Sequence, residues 1–481
     1  MIIIQTVLLS TALGVPNHPS DIVFPEYNFT PPSSVEYRRE LSSGIPVYLA
    51  EDKELPLVNI SFTFKGGSYL DPVDRVGLST MMASLVRNGG TTSLSAEDLD
   101  ERFDFLAAGA GVRGSKETIT ASLNSLSSNL DESLPLFIDM LRNPGFQQSR
   151  VDLSRDSIVE NLKQRNDQPS AILRRETAAL LYGNSYMGRQ PTGEMVGSVT
   201  VDDLKSVHNQ IINPSNMIIS VSGDFDTDKM LQTLENYIGD WVFGNKVAAP
   251  PEINSAYIPG IYFVDQDVSQ GGVRIGLRSL RQGDPDLEAA TIMNYILGGG
   301  GFSSRITQTV RSNEGLAYSA GSFLVPGVYM DGLWGAGYES KSKTVALAAD
   351  LIFNEINKIK TELVSEDDLN LAKSALIEQF PSIFQSQAQT VGVFVSDDIS
   401  GRDPHYWSTY KNRITSVQVE DVLRVANDLL SEDKMAMLVV GNWGVISEGN
   451  DRATIESVRK IIGGSVVELP LRDPLTLQPV E

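Results

Sequence analysis

No cysteine occurs in the 481 residues, which excludes disulfides, thiolate metal sites and a cysteine nucleophile together. Histidine is nearly as scarce. The three present, His18, His208 and His405, are nearly 200 residues apart, so no local imidazole pair exists. A zinc ion held by this chain alone would need carboxylates for most of its shell, which zinc rarely accepts. Positive charge is also short: 39 Lys and Arg stand against 61 Asp and Glu, for a formal charge of −22 and a pI near 4.6. Such a surface repels nucleic acid and anionic lipid and attracts basic partners. An acidic coat kept for solubility has the same composition. No stretch reaches 18 uninterrupted apolar residues, so no membrane span is expected.

What is present is a soluble globular composition, 41% hydrophobic and 21% charged, on a chain long enough for two to four domains. Its first residues, "MIIIQTVLLSTALGVPNHPS", carry a short apolar run followed by small residues. Residues 1–23 therefore read as a leader or export signal, although no Lys or Arg precedes the run. An apolar strand is the alternative.

The clearest pattern further on is a repeat. "SVTVDDLKSVHNQIINPSNMIISVSG" (198–223) aligns without a gap to "SVQVEDVLRVANDLLSEDKMAMLVVG" (416–441), with 9 of 26 positions identical. Each copy opens a helix with acidic residues in its first turn and closes on a short β run and a glycine. The β-like runs "IPVYLAED" and "LVNISFTFKGGS" open the first half, and "GIYFVDQD" and "GGVRIGLRS" open the second. Long helical patterns follow at 150–182 and 343–380. The spacing predicts two duplicated α+β domains, 24–243 and 261–468, each an antiparallel sheet with helices on one face. The Pro- and Ala-rich stretch 244–260 reads as the linker and 469–481 as a proline-spaced tail.

Two stretches carry the chemistry or its absence. "GLSTMMASLVRNGGT" (77–91) is helical by Leu78, Met81, Met82 and Leu85, and stops at Gly89 and Gly90. Nothing in it ligates a metal or carries a proton. "ILGGGGFSSRITQTVRSNEGLAYSAGS" (296–322) holds the glycine run Gly298, Gly299, Gly300 and Gly301. The run lacks the ending of a phosphate loop, and a tight turn between helices fits it equally well.

The second stretch resembles the C-domain signature of the pitrilysin and mitochondrial-processing-peptidase family of zinc metallopeptidases. "FKGGSYLDPVDRVGLS" (64–79), "YGNSYMGRQPTG" (182–193) and the repeated helices fall in family order, over roughly residues 35–465. The resemblance implies the metallohydrolase-like fold of half a clamshell. Active members carry the inverted motif H-x-x-E-H on a helix and a third ligand, Glu, on another. Here the corresponding positions are Thr80, Ala83, Ser84 and Asn161, with Glu160 one helical step off. None of the four offers an imidazole or a carboxylate. The resemblance also implies an Arg and a Tyr facing the zinc across a chamber, and "RSNEGLAY" supplies Arg311 and Tyr318. A guanidinium and a phenol aimed at a developing oxyanion would stabilise it. Both residues can also be read as a helix-end cation and a strand-filling aromatic. On the same ground the glycine run becomes a backbone-rich loop lining the peptide chamber.

The expectation is a zinc-less, non-catalytic subunit of a heterodimeric metallopeptidase. It would bind peptide, with basic sequences favoured, and supply Arg311 and Tyr318 in trans. No cofactor is expected in this chain; the zinc belongs to a paralogous partner subunit. A scaffold or peptide-holding protein with no part in catalysis is the alternative, and three scattered histidines give no support to a serine hydrolase. Export to the periplasm is expected, with the cytoplasm as the alternative.

Overall fold

The computed structural model describes residues 29–480; the expected leader and His18 lie outside the described residues. The first sheet contains β1 (Arg38–Glu40), β2 (Pro46–Glu51), β3 (Leu57–Lys65), β4 (Gly109–Gly114), β5 (Thr118–Leu126) and β6 (Met217–Gly223). Their spatial order is β1-β2-β6-β3-β5-β4. The second contains β7 (Gly260–Asp265), β8 (Gln270–Ser279), β9 (Ala317–Val325), β10 (Gly332–Lys341), β11 (Ala436–Gly441) and β12 (Ser465–Glu468), in the order β12-β7-β11-β8-β10-β9. With β7 to β11 matched to β2 to β6, the two orders coincide. Only the outermost strands differ: β1 runs antiparallel to β2, whereas β12 runs parallel to β7.

The sequence repeat is a structural repeat. The helices Val201–Ile211 and Val419–Leu429 precede β6 and β11, and each begins with a capping box, Thr200 with Asp203 and Gln418 with Asp421. The acidic residue in each first turn thus satisfies an orphan backbone N–H as well as the helix dipole. The four β-like runs expected from sequence fall on β2, β3, β7 and β8.

The two α+β units depart from the expected pattern in three ways. Pairs β2–β6 and β7–β11 are parallel, each joined across nearly a whole unit; all other pairs except β7–β12 are antiparallel. The expected long helices break: Pro169 starts a new helix, Pro169–Tyr182, after Gln148–Lys163, and Ser365 caps Glu366–Gln379 after Val345–Thr361.

The third departure concerns the faces of the sheets. Each sheet is covered on both, and the second cover comes from the other half. In β6 every residue is buried. Met217, Ile219 and Val221 point into the first-half core, while Ile218 meets Val391, Phe394 and Val395 of the helix Gln387–Ser400. In β11, Met437 and Val439 point into the second-half core, while Ala436, Leu438 and Val440 meet Ile172, Leu173 and Leu181 of Pro169–Tyr182. Side chains alternate across a strand, so an unbroken apolar run needs partners on both faces.

The linker is tied at several points. Tyr69 Oη donates to the Ala248 carbonyl (2.6 Å), Arg278 Nη2 to that of Ser255 (2.6 Å), and Tyr257 Oη to that of Lys434 (2.7 Å). The tail is docked too. Asn166 Nδ2 donates to the Arg472 carbonyl (2.8 Å), and Arg472 pairs with buried Glu176 (3.2 Å), which also pairs with Arg175.

Candidate functional site

The helix Leu78–Asn88 starts where Asp71 meets its first turn. The buried carboxylate accepts from the backbone N–H of Gly77 (2.8 Å) and Ser79 (2.9 Å) and from the Ser79 hydroxyl. Burial pushes the Asp71 carboxyl up, and these donors pull it back down. Gly77 sits at φ +99°, a conformation that favours glycine. At the far end the Gly89 N–H closes on the Leu85 carbonyl (2.8 Å). Leu78, Met81, Met82 and Leu85 are buried, as their spacing predicts.

On the opposite stripe Thr80 and Ser84 face a cavity of about 790 Å³. Its other wall is the helix Gln148–Lys163, which presents Ser154 and Ser157. Ala83 is fully buried, and β4 comes so close that a Cβ on Gly114 would lie 3.5 Å from the Ala83 methyl. Asn161 continues the stripe of Ser154 and Ser157 by one turn but is exposed and lies beyond the cavity wall. Glu160 is turned away and pairs with Lys163 (2.9 Å).

Two hydroxyls, a methyl and a carboxamide do not fit zinc, and the described residues hold no group of three or more His, Asp or Glu able to ligate a metal. The histidines are not brought together. His208 is buried, with Nε2 2.8 Å from the Leu141 carbonyl, and His405 borders a separate cavity in the second half.

In the second half Arg311 lies in a π-helical turn, Thr307–Asn313, and Tyr318 near the start of β9, the outer strand. Gly315 at φ +62° turns the chain between them. The Arg311 guanidinium lies 4.9 Å from the Tyr318 ring centroid and 4.6 Å from that of Phe302. It is therefore held between two aromatic faces, an arrangement that fixes the cation without consuming its N–H donors. Tyr318 is 88% exposed. Among the described residues neither side chain has a hydrogen bond or an ion pair. Phe302, 68% exposed, is the partner that sequence reading missed, although it adjoins the glycine run. Below Tyr318 a cavity of about 760 Å³ is bordered by Arg274 and Phe323. The Arg274 guanidinium is 5.0 Å from the Phe323 ring and has no acidic partner among the described residues; burial lowers its pKa.

The glycine run is helical. Tyr295–Gly299 forms a π turn and Gly301–Ser303 a 3₁₀ turn. Gly298 is buried against β9, where a Cβ would collide with the Ser322 backbone N. A Cβ on Gly299 would lie 2.6 Å from Asn294 Nδ2, and one on Gly300 2.7 Å from the Tyr295 ring. Gly299, Gly300 and Gly301 line a small cavity of about 430 Å³. Gly298 thus serves close packing of a helix end on the strand that carries Tyr318.

The chain that folds into this duplicated sheet-and-helix unit, with Thr80 and Ser84 on a cavity in one half and Arg311 beside Tyr318 in the other, is matched by two models of one family. The family model for insulinase, peptidase family M16, matches residues 47–192, and that for the peptidase M16 inactive domain matches residues 198–376. The chain belongs to the M16 peptidase family.

It is 23% identical to the "non-peptidase homolog YmxG" of Helicobacter pylori, over 81% of this chain and 90% of that protein. It is 24% identical to an "uncharacterized zinc protease" of Rickettsia felis, over 84% and 97% respectively. Among solved structures, the peptidase M16 inactive domain from Pseudomonas fluorescens superimposes with a TM-score of 0.75 at 22% identity, covering 84% of this chain and 97% of that one. The fold is shared.

Proposed function

We propose that this chain is the zinc-less subunit of a heterodimeric M16 peptidase. The supporting observation is the pairing of an emptied metal helix with an Arg311–Tyr318 couple whose donors are all free. A partner chain with an intact H-x-x-E-H motif would supply the metal and the attacking water. This chain would hold an extended peptide by strand addition at a sheet edge, where β9 carries Tyr318. The Tyr318 phenol and the Arg311 guanidinium would then donate to the scissile carbonyl as negative charge develops on its oxygen. The acidic surface favours basic peptides. Export to the periplasm belongs to the same reading, and N-terminal sequencing of the mature protein tests it.

Alone, the chain should neither retain zinc nor cleave peptides; mixed with the partner it should restore hydrolysis. A stoichiometric metal on the isolated chain, with chelator-sensitive proteolysis, would overturn the assignment. Full activity of a Tyr318→Phe mixture would leave the scaffold role instead.

A further inference from the structure

The cavity beside Thr80 and Ser84 has changed sign. An H-x-x-E-H site holds a cation among carboxylates and imidazoles. In a chain with 61 acidic residues, this wall contains none; its charged members are Lys116, Arg150 and Arg189. Arg150 is taken by Glu97 (2.7 Å). Lys116 has no hydrogen bond or ion pair among the described residues, though it is half-buried. Arg189 spends Nη1 on the Asp71 carbonyl (3.3 Å), while its buried Nε has no partner. The nearby Asp71 carboxylate attracts Lys116 and Arg189, which repel each other, but it makes no salt bridge with either and is hydrogen-bonded to Gly77 and Ser79. The hydroxyls of Thr80, Ser154 and Ser157 add donors, and Met81, Leu85, Leu153, Ile158 and Val199 supply an apolar floor.

We propose that the former metal cavity binds an amphipathic carboxylate, with its head between Lys116 and Arg189 and its apolar body along the helix Gln148–Lys163. Its 790 Å³ is within the range of small-ligand sites. Two unpaired cations confined in a half-buried wall gain more from an anion than from water, because the low local dielectric strengthens the contact. The free carboxylate of a peptide C-terminus and that of a simple fatty acid present the same chemistry.

Calorimetric titration of the full chain with N-acetyl-leucyl-leucine, its C-terminal amide and octanoate tests this. The peptide acid or octanoate should bind saturably, and the better of the two identifies the source. The amide should bind roughly tenfold or more weakly than the peptide acid wherever the latter binds, the loss expected for one charge-assisted contact. Lys116→Met should weaken binding by a similar factor at unchanged melting temperature. Ser84→Glu, which returns a carboxylate to the cavity, should abolish it. Absence of saturable binding by either acid, equal affinity for acid and amide, or indifference to both substitutions would overturn the proposal.

Discussion

The two halves share a strand order and a capped helix, and they have diverged in opposite senses. In the first, a cavity of about 790 Å³ is walled by hydroxyls and no metal-ligand set; in the second, the Arg–Tyr pair stands with Tyr318 on the wall of a cavity of about 760 Å³. The two cavities are of similar size, and the first shows which residues hold such a site open. Thr80 and Ser84 are exposed on the cavity side of the helix Leu78–Asn88 and lie outside the core, so their identity can change without collapse. Its buried side, Met82 and Leu85 above all, carries the packing that keeps the walls apart.

The largest effect expected from breaking this comparison lies where the halves are least separate. Phe394→Ala, in the second half, should cost about 3–5 kcal/mol. Hydrogen exchange should show the loss first in β2 and β6 of the first sheet, because Phe394 covers Ile218 and Tyr48. Next comes Tyr318→Phe, which should lower turnover of the mixture with the zinc-bearing partner by about 10²-fold in steady-state assays.

A smaller effect is a pH dependence confined to the first half. Burial pushes the His208 imidazole below its ordinary value of 6.5, opposed by its contact with the Leu141 carbonyl. The folded ring stays neutral while the unfolded one takes up a proton below that value. Stability is therefore fully present above about pH 6.5 and falls as pH drops through it, by up to about 1.4 kcal/mol per unit. Urea midpoints for wild type and His208→Gln, measured from about pH 7 to 5, should differ in slope by this amount. Least of all, Asn161→Ala should change stability by no more than about 0.5 kcal/mol and leave the mixture's activity unaltered. A large loss there would return the third-ligand position to the mechanism.

Much of this was legible in the sequence. The repeat marked β6, β11 and their helices because its acidic first-turn residues serve as N-terminal capping partners. The spacing of Leu78, Met81, Met82 and Leu85 gave the buried face of the helix Leu78–Asn88, and local pattern suffices for such elements. Which sheet Leu173 or Phe394 would cover was not legible, because periodicity reports a buried face and not its partner. The all-apolar "MIISVSG" and "MAMLVVG" did carry a signal for cover on both sides. Phe302 was hidden for another reason: an exposed aromatic has no periodic signature, and its role depends on a cation nine residues away folding back over its ring. Lys116 lies outside every quoted stretch, Arg189 lies within 182–193 without any mark of its role, and the fold that brings them to one cavity is tertiary.

The tethered segment between the halves has a mechanical consequence. Tyr69 ties Ala248 to the first half, Arg278 and Tyr257 tie the linker to the second, and the crossed covers of β6 and β11 join the halves directly, so the angle between the two sheets cannot widen without exposing apolar surface. Among the described residues the two halves are thus packed into one body. In the proposed heterodimer, a gape that admits a long substrate would open along the seam with the partner subunit, and cross-links placed at that seam, rather than inside this chain, would jam it.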